Sequence, residues 1–442
     1  MIKAISFLFI FYVANSIFFE QQLSYDLVHL SFYIVIIQPL VFLFFAGKNG
    51  LTLLRIFYFF QFIFMGIAPY MQFIGDFVMW GGEPFYEKDY LLFNVLITLV
   101  NFLFFVVYYM FNKLTFEKKE EASCMIPEAI KRLPFITKIV LSGLCFICFF
   151  LALYINNFSI VSLFLRGGIL KETAEVVSSQ TLIFSYTSKF IPFFITAFIL
   201  VFYKQNKLML AFSFITLLLC AFPFGIARFL TASIYIPLLL IAFPSLLKGI
   251  KGILFFILSI LLIFPFLEQF RVFKDDLELQ FIPDISFFVK GHFDSYQNFL
   301  RVFSENITTG GNQLIGVLFF FVPRSIWEDK PVGSGYYVAE ELGYTFNNIS
   351  MNFFGEGFIN FGILGVVIFC VLLSLLCAFF DRSFWSEQGV INKPSAIFYL
   401  FLIGYLIFVL RGDLLSSFAF FMSALFSFFI VNFLFNTKGR SL

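Results

Sequence analysis

Residues 356–380 read EGFINFGILGVVIFCVLLSLLCAFF, a glutamate at the head followed by an unbroken run without charge. Wound as an α-helix at about 1.5 Å per residue, the run covers roughly 37 Å, enough to cross the ~30 Å hydrocarbon core of a bilayer. Comparable apolar runs lie near 2–19, 27–46, 51–70, 90–112, 138–156, 183–203, 207–222, 229–247, 252–267, 395–410 and 413–435. About twelve spans are therefore expected, in an all-α, polytopic helical membrane protein that forms a single integral membrane domain over 1–442. Composition agrees, with 61% of residues apolar, 22% aromatic and 13% charged. Soluble domains carry about a quarter charged residues to keep a wetted surface, so a water-soluble fold is excluded. A formal net charge of only +2 offers no basis for binding nucleic acid. Phenylalanine makes up 76 of the 442 residues. It is as acceptable to lipid as leucine and is assigned no chemical role. The first apolar run has no convincing small-residue cleavage site and eleven more spans follow, so it is read as a retained helix.

Basic residues orient the bundle. Lys and Arg favour cytoplasmic loops, and Lys48, Lys113, Lys118, Lys119, Lys131, Arg132, Lys138, Lys204, Lys207, Lys248, Lys251, Arg382 and Lys393 all fall on one side when both termini are cytoplasmic. Most acids fall on the other. Six of the ten arginines break this pattern: Arg166, Arg228, Arg271, Arg301, Arg324 and Arg411 lie on the outer side. An arginine fork binds phosphate or carboxylate oxygens in pairs and keeps its proton, so an outer arginine set points to an anionic ligand at that face. For any single arginine, snorkelling at a helix end or pairing with an outer acid is the competing reading.

Three segments extend beyond the spans. Residues 113–137 carry the charge run Glu117-Lys118-Lys119-Glu120-Glu121 and read as a cytoplasmic linker. Residues 156–180 contain Arg166-Gly167-Gly168 and a short amphipathic stretch around Lys171 to Val177, suited to lying on the membrane surface. Residues 268–355 form the dominant outer loop, whose nine-residue apolar run Leu314 to Val322 is too short to span and is expected to dip into the interface or pack over the bundle. None of the six cysteines falls in an outer loop, which excludes a disulfide framework, and Cys145-x-x-Cys148 in an apolar helix reads as packing. His29 and His292 make no metal-ligand spacing, so no metal and no cofactor are expected.

The chemistry concentrates near the carboxyl end of the outer loop. Pro323-Arg324-Ser325-Ile326-Trp327-Glu328-Asp329-Lys330-Pro331-Val332-Gly333-Ser334-Gly335 combines turn-forming residues with two cations, a composition suited to a binding loop whose backbone approaches a ligand closely. Further on, Glu356 and Asn360 are four residues apart and share one helix face at the outer mouth of a span. Glu356 is read either as a site carboxylate or as a first-turn acid complementing the helix dipole.

These residues carry a resemblance. The stretch from Pro323 to Val366, with Arg-x-Ile-Trp-x-x-Lys-Pro-x-Gly-Ser-Gly followed by Gly-Glu-x-x-x-Asn-Phe-Gly, resembles the bacterial O-antigen polymerases of the Wzy type. Phe222-Pro223-Phe224-Gly225-Ile226-Ala227-Arg228-Phe229 and Leu410-Arg411-Gly412-Asp413-Leu414 are similar to that family as well, as is the plan of about twelve spans with one large periplasmic loop. Arg324 and Gly335 also keep an eleven-residue spacing associated with the family's periplasmic loops. The resemblance implies a cofactor-free, membrane-embedded glycosyltransferase of the bacterial inner membrane. It would move a growing glycan from undecaprenyl pyrophosphate onto the non-reducing end of a new lipid-linked repeat unit at the periplasmic face, building O-antigen or a related surface polysaccharide. Its partners would be that lipid-linked oligosaccharide, membrane lipid and a chain-length regulator. Arg228, Arg271, Arg324 and Arg411 are then the candidates for stabilising the pyrophosphate. Glu356 is the first candidate for accepting the acceptor hydroxyl's proton, with His292 and Asp294 next. Trp327, Tyr336, Tyr337 and Asn360 are candidates for holding sugar. An O-antigen ligase and a lipid-linked oligosaccharide flippase remain alternatives. A flippase would carry charges along a path within its spans, where Arg55 is the main intramembrane charge here.

Overall fold

A computed structural model describes residues 26–45, 50–113, 132–164, 179–260 and 285–436. Among the described residues the structure is helical, without strands. Eight helices are long and apolar enough to cross a membrane: Leu27–Phe44, Leu53–Ile74, Glu87–Asn112, Phe135–Ile155, Ile183–Phe202, Phe353–Trp385, Pro394–Arg411 and Leu414–Asn436. This is the architecture of a membrane-embedded helical bundle.

Twelve spans are not all realised at full length. The expected spans at 207–222 and 229–247 appear as Lys207–Cys220 and Arg228–Ala242, of 14 and 15 residues. Each is about 21–23 Å long, short of the bilayer core. Pro223 and the 3₁₀ turn Pro244–Leu247, opened by Pro244, mark where they stop. The run at 252–267 begins as Lys251–Leu258, and its remainder from 261 lies outside the described residues, as does the run at 2–19. The amphipathic stretch Lys171 to Val177, Arg166, most of the 113–137 linker and Arg271 also lie outside them.

The most enclosed span is Leu53–Ile74, with 89% of its apolar window buried. Its middle, Gln61–Ile67, relaxes to a π-helix just before Pro69, which has no N–H to donate to the ladder. Phenylalanine does much of the packing. Phe57 stacks on Phe104 at 3.7 Å, and Phe190, Phe194 and Phe198 engage Phe420, Phe428 and Phe435 between two spans. Other phenylalanines, such as Phe426, Phe429 and Phe433, form an exposed stripe at helical spacing, as a lipid-facing surface requires. The sequence of ring contacts, Tyr186 with Phe420 through Phe198 with Phe435, shows that Ser179–Phe202 and Leu414–Asn436 run parallel.

One helix is broken where the motif Asn360-Phe361-Gly362 falls. Within Phe353–Trp385, Phe361 has φ −143° and Gly362 has φ 60° and ψ −148°, a region open in practice only to glycine. A Cβ built on Gly365 would lie 1.8 Å from the Gly357 carbonyl oxygen. In a continuous helix residues eight apart are separated by about 12 Å, so the chain doubles back sharply here. The first two turns, carrying Glu356 and Asn360, fold against the start of the long segment. From Gly362 to Trp385 that segment still measures about 36 Å, a full membrane crossing.

The 268–355 segment is not a detached loop over its described part. It sends Ser295–Ser304 into the bundle, with Ser295 through Val302 all buried. Tyr296 and Phe299 pack on Phe93, and Tyr296 donates to Asn94 at 2.7 Å. Gln297 donates to Gln72 and to the Phe77 carbonyl, so the buried polar groups find partners across elements. The helix Asn312–Leu318, which overlaps the run Leu314 to Val322 expected to pack over the bundle, lies against the starts of Phe353–Trp385 and Leu414–Asn436.

At the opposite end a second polar cluster closes the bundle. Asp381 accepts from the backbone N–H groups of Leu53 (2.8 Å) and Leu54 (3.2 Å), at the start of a helix, and from the hydroxyls of Tyr108 (2.9 Å) and Tyr399 (2.7 Å). Beside it, Arg55 donates to the carbonyls of Gly50 and Gly249, both at 2.6 Å. Four donors on one carboxylate, from three other helices, fix their mutual register.

Candidate functional site

Three stretches far apart in sequence meet at the other end: 291–301, the 333–360 segment, and the turn 411–414 between the last two spans. The turn is the hub. Asp413 caps Leu414–Asn436, accepting from the N–H groups of Leu415 (3.0 Å) and Ser416 (3.3 Å), which satisfies donors that a helix start leaves open. Its other oxygen accepts from the Gly335 N–H at 3.0 Å. Glu356 stands alongside, accepting from the Leu414 N–H at 2.8 Å and from the Ser334 hydroxyl at 2.6 Å. Two carboxylates thus clamp the Gly333-Ser334-Gly335 backbone to the turn. Burial holds the Asp413 carboxyl above the ordinary aspartate range, against the opposing pull of amide donors led by Gly335. A Cβ at Gly335 would lie 2.2 Å from the Ile349 carbonyl oxygen, so the glycine is needed for close approach to protein rather than to a ligand.

Arg411 forms the second half. Its Nε donates to the His292 carbonyl (2.8 Å), and its Nη2 to the Gly291 carbonyl (2.6 Å) and to Asp294 Oδ1 (3.0 Å). Its guanidinium lies over the Phe229 ring at 4.8 Å, which puts the start of the Arg228 helix at the same mouth. Asp294 is 1% exposed and accepts three further bonds, from Ser350 Oγ (2.5 Å), the Ser350 N–H (3.0 Å) and Asn298 Nδ2 (3.0 Å). It therefore positions Arg411.

The expected site residues separate clearly. Glu356, Asp294, Arg411 and the His292 backbone are brought together, while Arg271 lies outside the described residues. Glu356 is fully buried, and so is Asn360, which accepts from the Leu314 N–H (2.8 Å) and donates to the Glu356 carbonyl (2.8 Å). Asn360 is thus a packing amide, a correction to its reading as a sugar contact. Arg324 and Tyr336 are exposed, while Arg228, His292, Trp327 and Tyr337 are half-buried. The two cations of the proline-rich loop divide: Arg324 faces outward, whereas Lys330 turns in and donates to the carbonyls of Phe320 (2.6 Å) and Val322 (3.0 Å). Burial, and then the Arg324 charge, lower the Lys330 pKa. Arg301 is 6% exposed, bonded to the Glu83 carbonyl and stacked over Phe85. Among the described residues no group of three or more His, Cys, Asp or Glu side chains could hold a metal ion.

Sequence reasoning missed Asp413, Ser334 and Ser350 as members of the cluster. Asp413 carried a usable signal, since an aspartate directly before an apolar run is a helix N-cap signature. No family profile, curated protein or solved structure matches the chain.

Proposed function

We propose that the chain is a membrane-embedded glycosyltransferase that polymerises lipid-linked oligosaccharide repeat units, using an undecaprenyl pyrophosphate donor at the outer face of the bacterial inner membrane. The observation that carries the reading is the convergence, at one end of the bundle, of two stretches that hold family-like motifs, 333–360 and 411–414, with Phe229 of the third under Arg411, Arg411 fixed by Asp294 and the Glu356–Asp413 pair beneath the proline-rich loop.

The donor's leaving group is a lipid pyrophosphate held at the membrane surface, where breaking its bond to the sugar develops negative charge. Fixed cations at that position lower the barrier because they need no reorganisation during reaction. Arg324, exposed on the loop, is suited to contact the phosphates, whereas the terminal guanidinium nitrogens of Arg228 are buried. Arg411 presents a guanidinium pre-oriented by three bonds. An acceptor hydroxyl gives up its proton as the new glycosidic bond forms. His292, half-buried beside Arg411, is better placed to take it than Glu356, whose carboxylate is sealed behind Ser334 and Leu414. Tyr336, Tyr337 and Trp327 offer aromatic surface for sugar.

Glycan profiling of a deletion strain tests the proposal. Loss of a polymerase leaves lipid A core bearing one repeat unit, and complementation restores the long ladder. Accumulation of lipid-linked polymer would assign the chain as a ligase. Unpolymerised units confined to the cytoplasmic face would assign a flippase. Arg324→Ala and His292→Ala are expected to abolish long-chain product while the protein still inserts.

A further inference from the structure

A cavity of about 760 Å³ opens at the end of the bundle opposite Asp413, where Ser179–Phe202 ends and Lys207–Cys220 begins. Its placement at that end follows from the parallel run of Ser179–Phe202 and Leu414–Asn436, since the latter starts at Asp413. Arg132, Lys138 and Lys207 line it, with Ser142 and Asn206 as neutral polar groups and Met209 in its wall. No acid contributes to the lining, and none of the three cations is paired with an acid among the described residues.

The local structure sets these cations against the field of two helix starts. Lys207 is the first residue of its helix, and Lys138 lies in the first turn of Phe135–Ile155. A helix start carries partial positive charge from its open N–H groups, so a lysine there is repelled unless an anion intervenes. Neither start is capped by a side chain, at Asn206 or at Pro134. Beside the cations, Leu208 is 90% exposed, as expected of a residue reaching into acyl chains. Cationic groups set next to a protruding apolar side chain at a bundle end match the headgroup level of a bilayer.

We propose that this cavity binds the phosphate headgroup of an anionic glycerophospholipid, with Arg132, Lys138 and Lys207 on the phosphate oxygens and Leu208 against the acyl chains. The volume suits a glycerol-bridged headgroup such as that of cardiolipin better than free phosphate. The inference is independent of the reaction at the other end.

The test titrates the full-length chain, purified in a neutral detergent, with cardiolipin, phosphatidylglycerol, phosphatidylcholine and inorganic phosphate, reading binding by native mass spectrometry and by thermal unfolding. Each basic residue near an anionic surface contributes about fivefold in affinity, so Lys138→Gln/Lys207→Gln should weaken cardiolipin binding roughly 25-fold. Lys138→Arg/Lys207→Arg should retain it, and phosphatidylcholine should bind no better than background. Equal cardiolipin affinity in the glutamine variant, no preference over phosphatidylcholine, or full competition by millimolar inorganic phosphate would each overturn the proposal.

Discussion

Removing Arg411 should cost more than removing any other charge at the candidate site, and the loss should depend on Asp294. The two groups are 3.0 Å apart with side chains 16% and 1% exposed. Breaking a buried ion pair by deleting one partner typically costs about 3–5 kcal/mol, because the other charge is left without compensation. Asp294 keeps three donors from Ser350 and Asn298, so Arg411→Ala should sit near the lower bound, about 3 kcal/mol. Asp294→Asn leaves Arg411 its two carbonyl acceptors and some access to water, and should cost about 2 kcal/mol. If the pair acts as a unit, the double variant loses it only once and should be destabilised by about 3 kcal/mol rather than 5, a coupling of about 2 kcal/mol. Arg411→Lys keeps a charge but not the fork, and should lie near 1–2 kcal/mol. Denaturant unfolding of the detergent-purified chain, followed by tryptophan fluorescence, measures all four. Additivity within about 0.5 kcal/mol would refute the claim that Asp294 orients Arg411.

At the helix break, Gly362→Ala should cost about 1–3 kcal/mol because φ 60° with ψ −148° is closed to side chains, whereas Gly143→Ala, in a regular helix with nothing near its added methyl, should be neutral or stabilising by up to ~1 kcal/mol. Paired thermal melts decide this, and equal effects would contradict the sharp reversal at Gly362. Lys330→Met should cost about 2 kcal/mol through two orphaned carbonyls and should increase protease cleavage within 319–330. The folded-state pKa of Asp413 lies above its unfolded value, so the folded state binds the proton more tightly. Its contribution to stability is full below an unfolded pKa of about 3.9 and is lost as pH rises through the folded value. Melting temperature against pH should therefore flatten in Asp413→Asn over the range just above pH 4, and an unchanged profile would remove Asp413 as the source.

The membrane-spanning fold was legible because a single property, a sustained apolar run, dictates it. What composition could not resolve was how far each run continues as helix. Proline decides that locally: Pro223 and Pro244 flank two helices that fall short of a full crossing, and Pro69 follows a π turn instead of ending its helix. The segment read as an outer loop also hid a buried element. Ser295–Ser304 has too few strongly apolar residues to register as a core helix, yet Tyr296, Gln297 and Asn298 bury their polar atoms by bonding to other elements. Such partners lie up to 220 residues away in sequence, beyond any local pattern.

The candidate site shows the same division between type and placement. Sequence reasoning picked out Arg411 as an outer-side cation, Glu356 as an acid at the mouth of a span and Asp294 as a proton acceptor implied by the resemblance, and all three gather around the 411–414 turn. Its ranking of Glu356 before His292 and Asp294 could not take account of which atoms remain exposed once the chain has closed. Glu356 and Asn360 share a helix face as expected, but the reversal at Gly362 turns that face inward against Leu314 and Leu414. The residues that define the motif most sharply are thus those that shape the site. Gly333 leaves room for the Asp413 carboxylate, Gly362 folds the helix back, and Asp294 aims Arg411. Arg324 and Tyr336 are left facing outward, and His292 is half-buried. An exposed side chain can vary without loss of the scaffold beneath it, so the anion-binding role proposed for Arg324 should be separable from stability: Arg324→Ala should melt within about 0.5 kcal/mol of the parent while losing long-chain product. Destabilisation of Arg324→Ala comparable to that of Arg411→Ala would instead make Arg324 part of the scaffold.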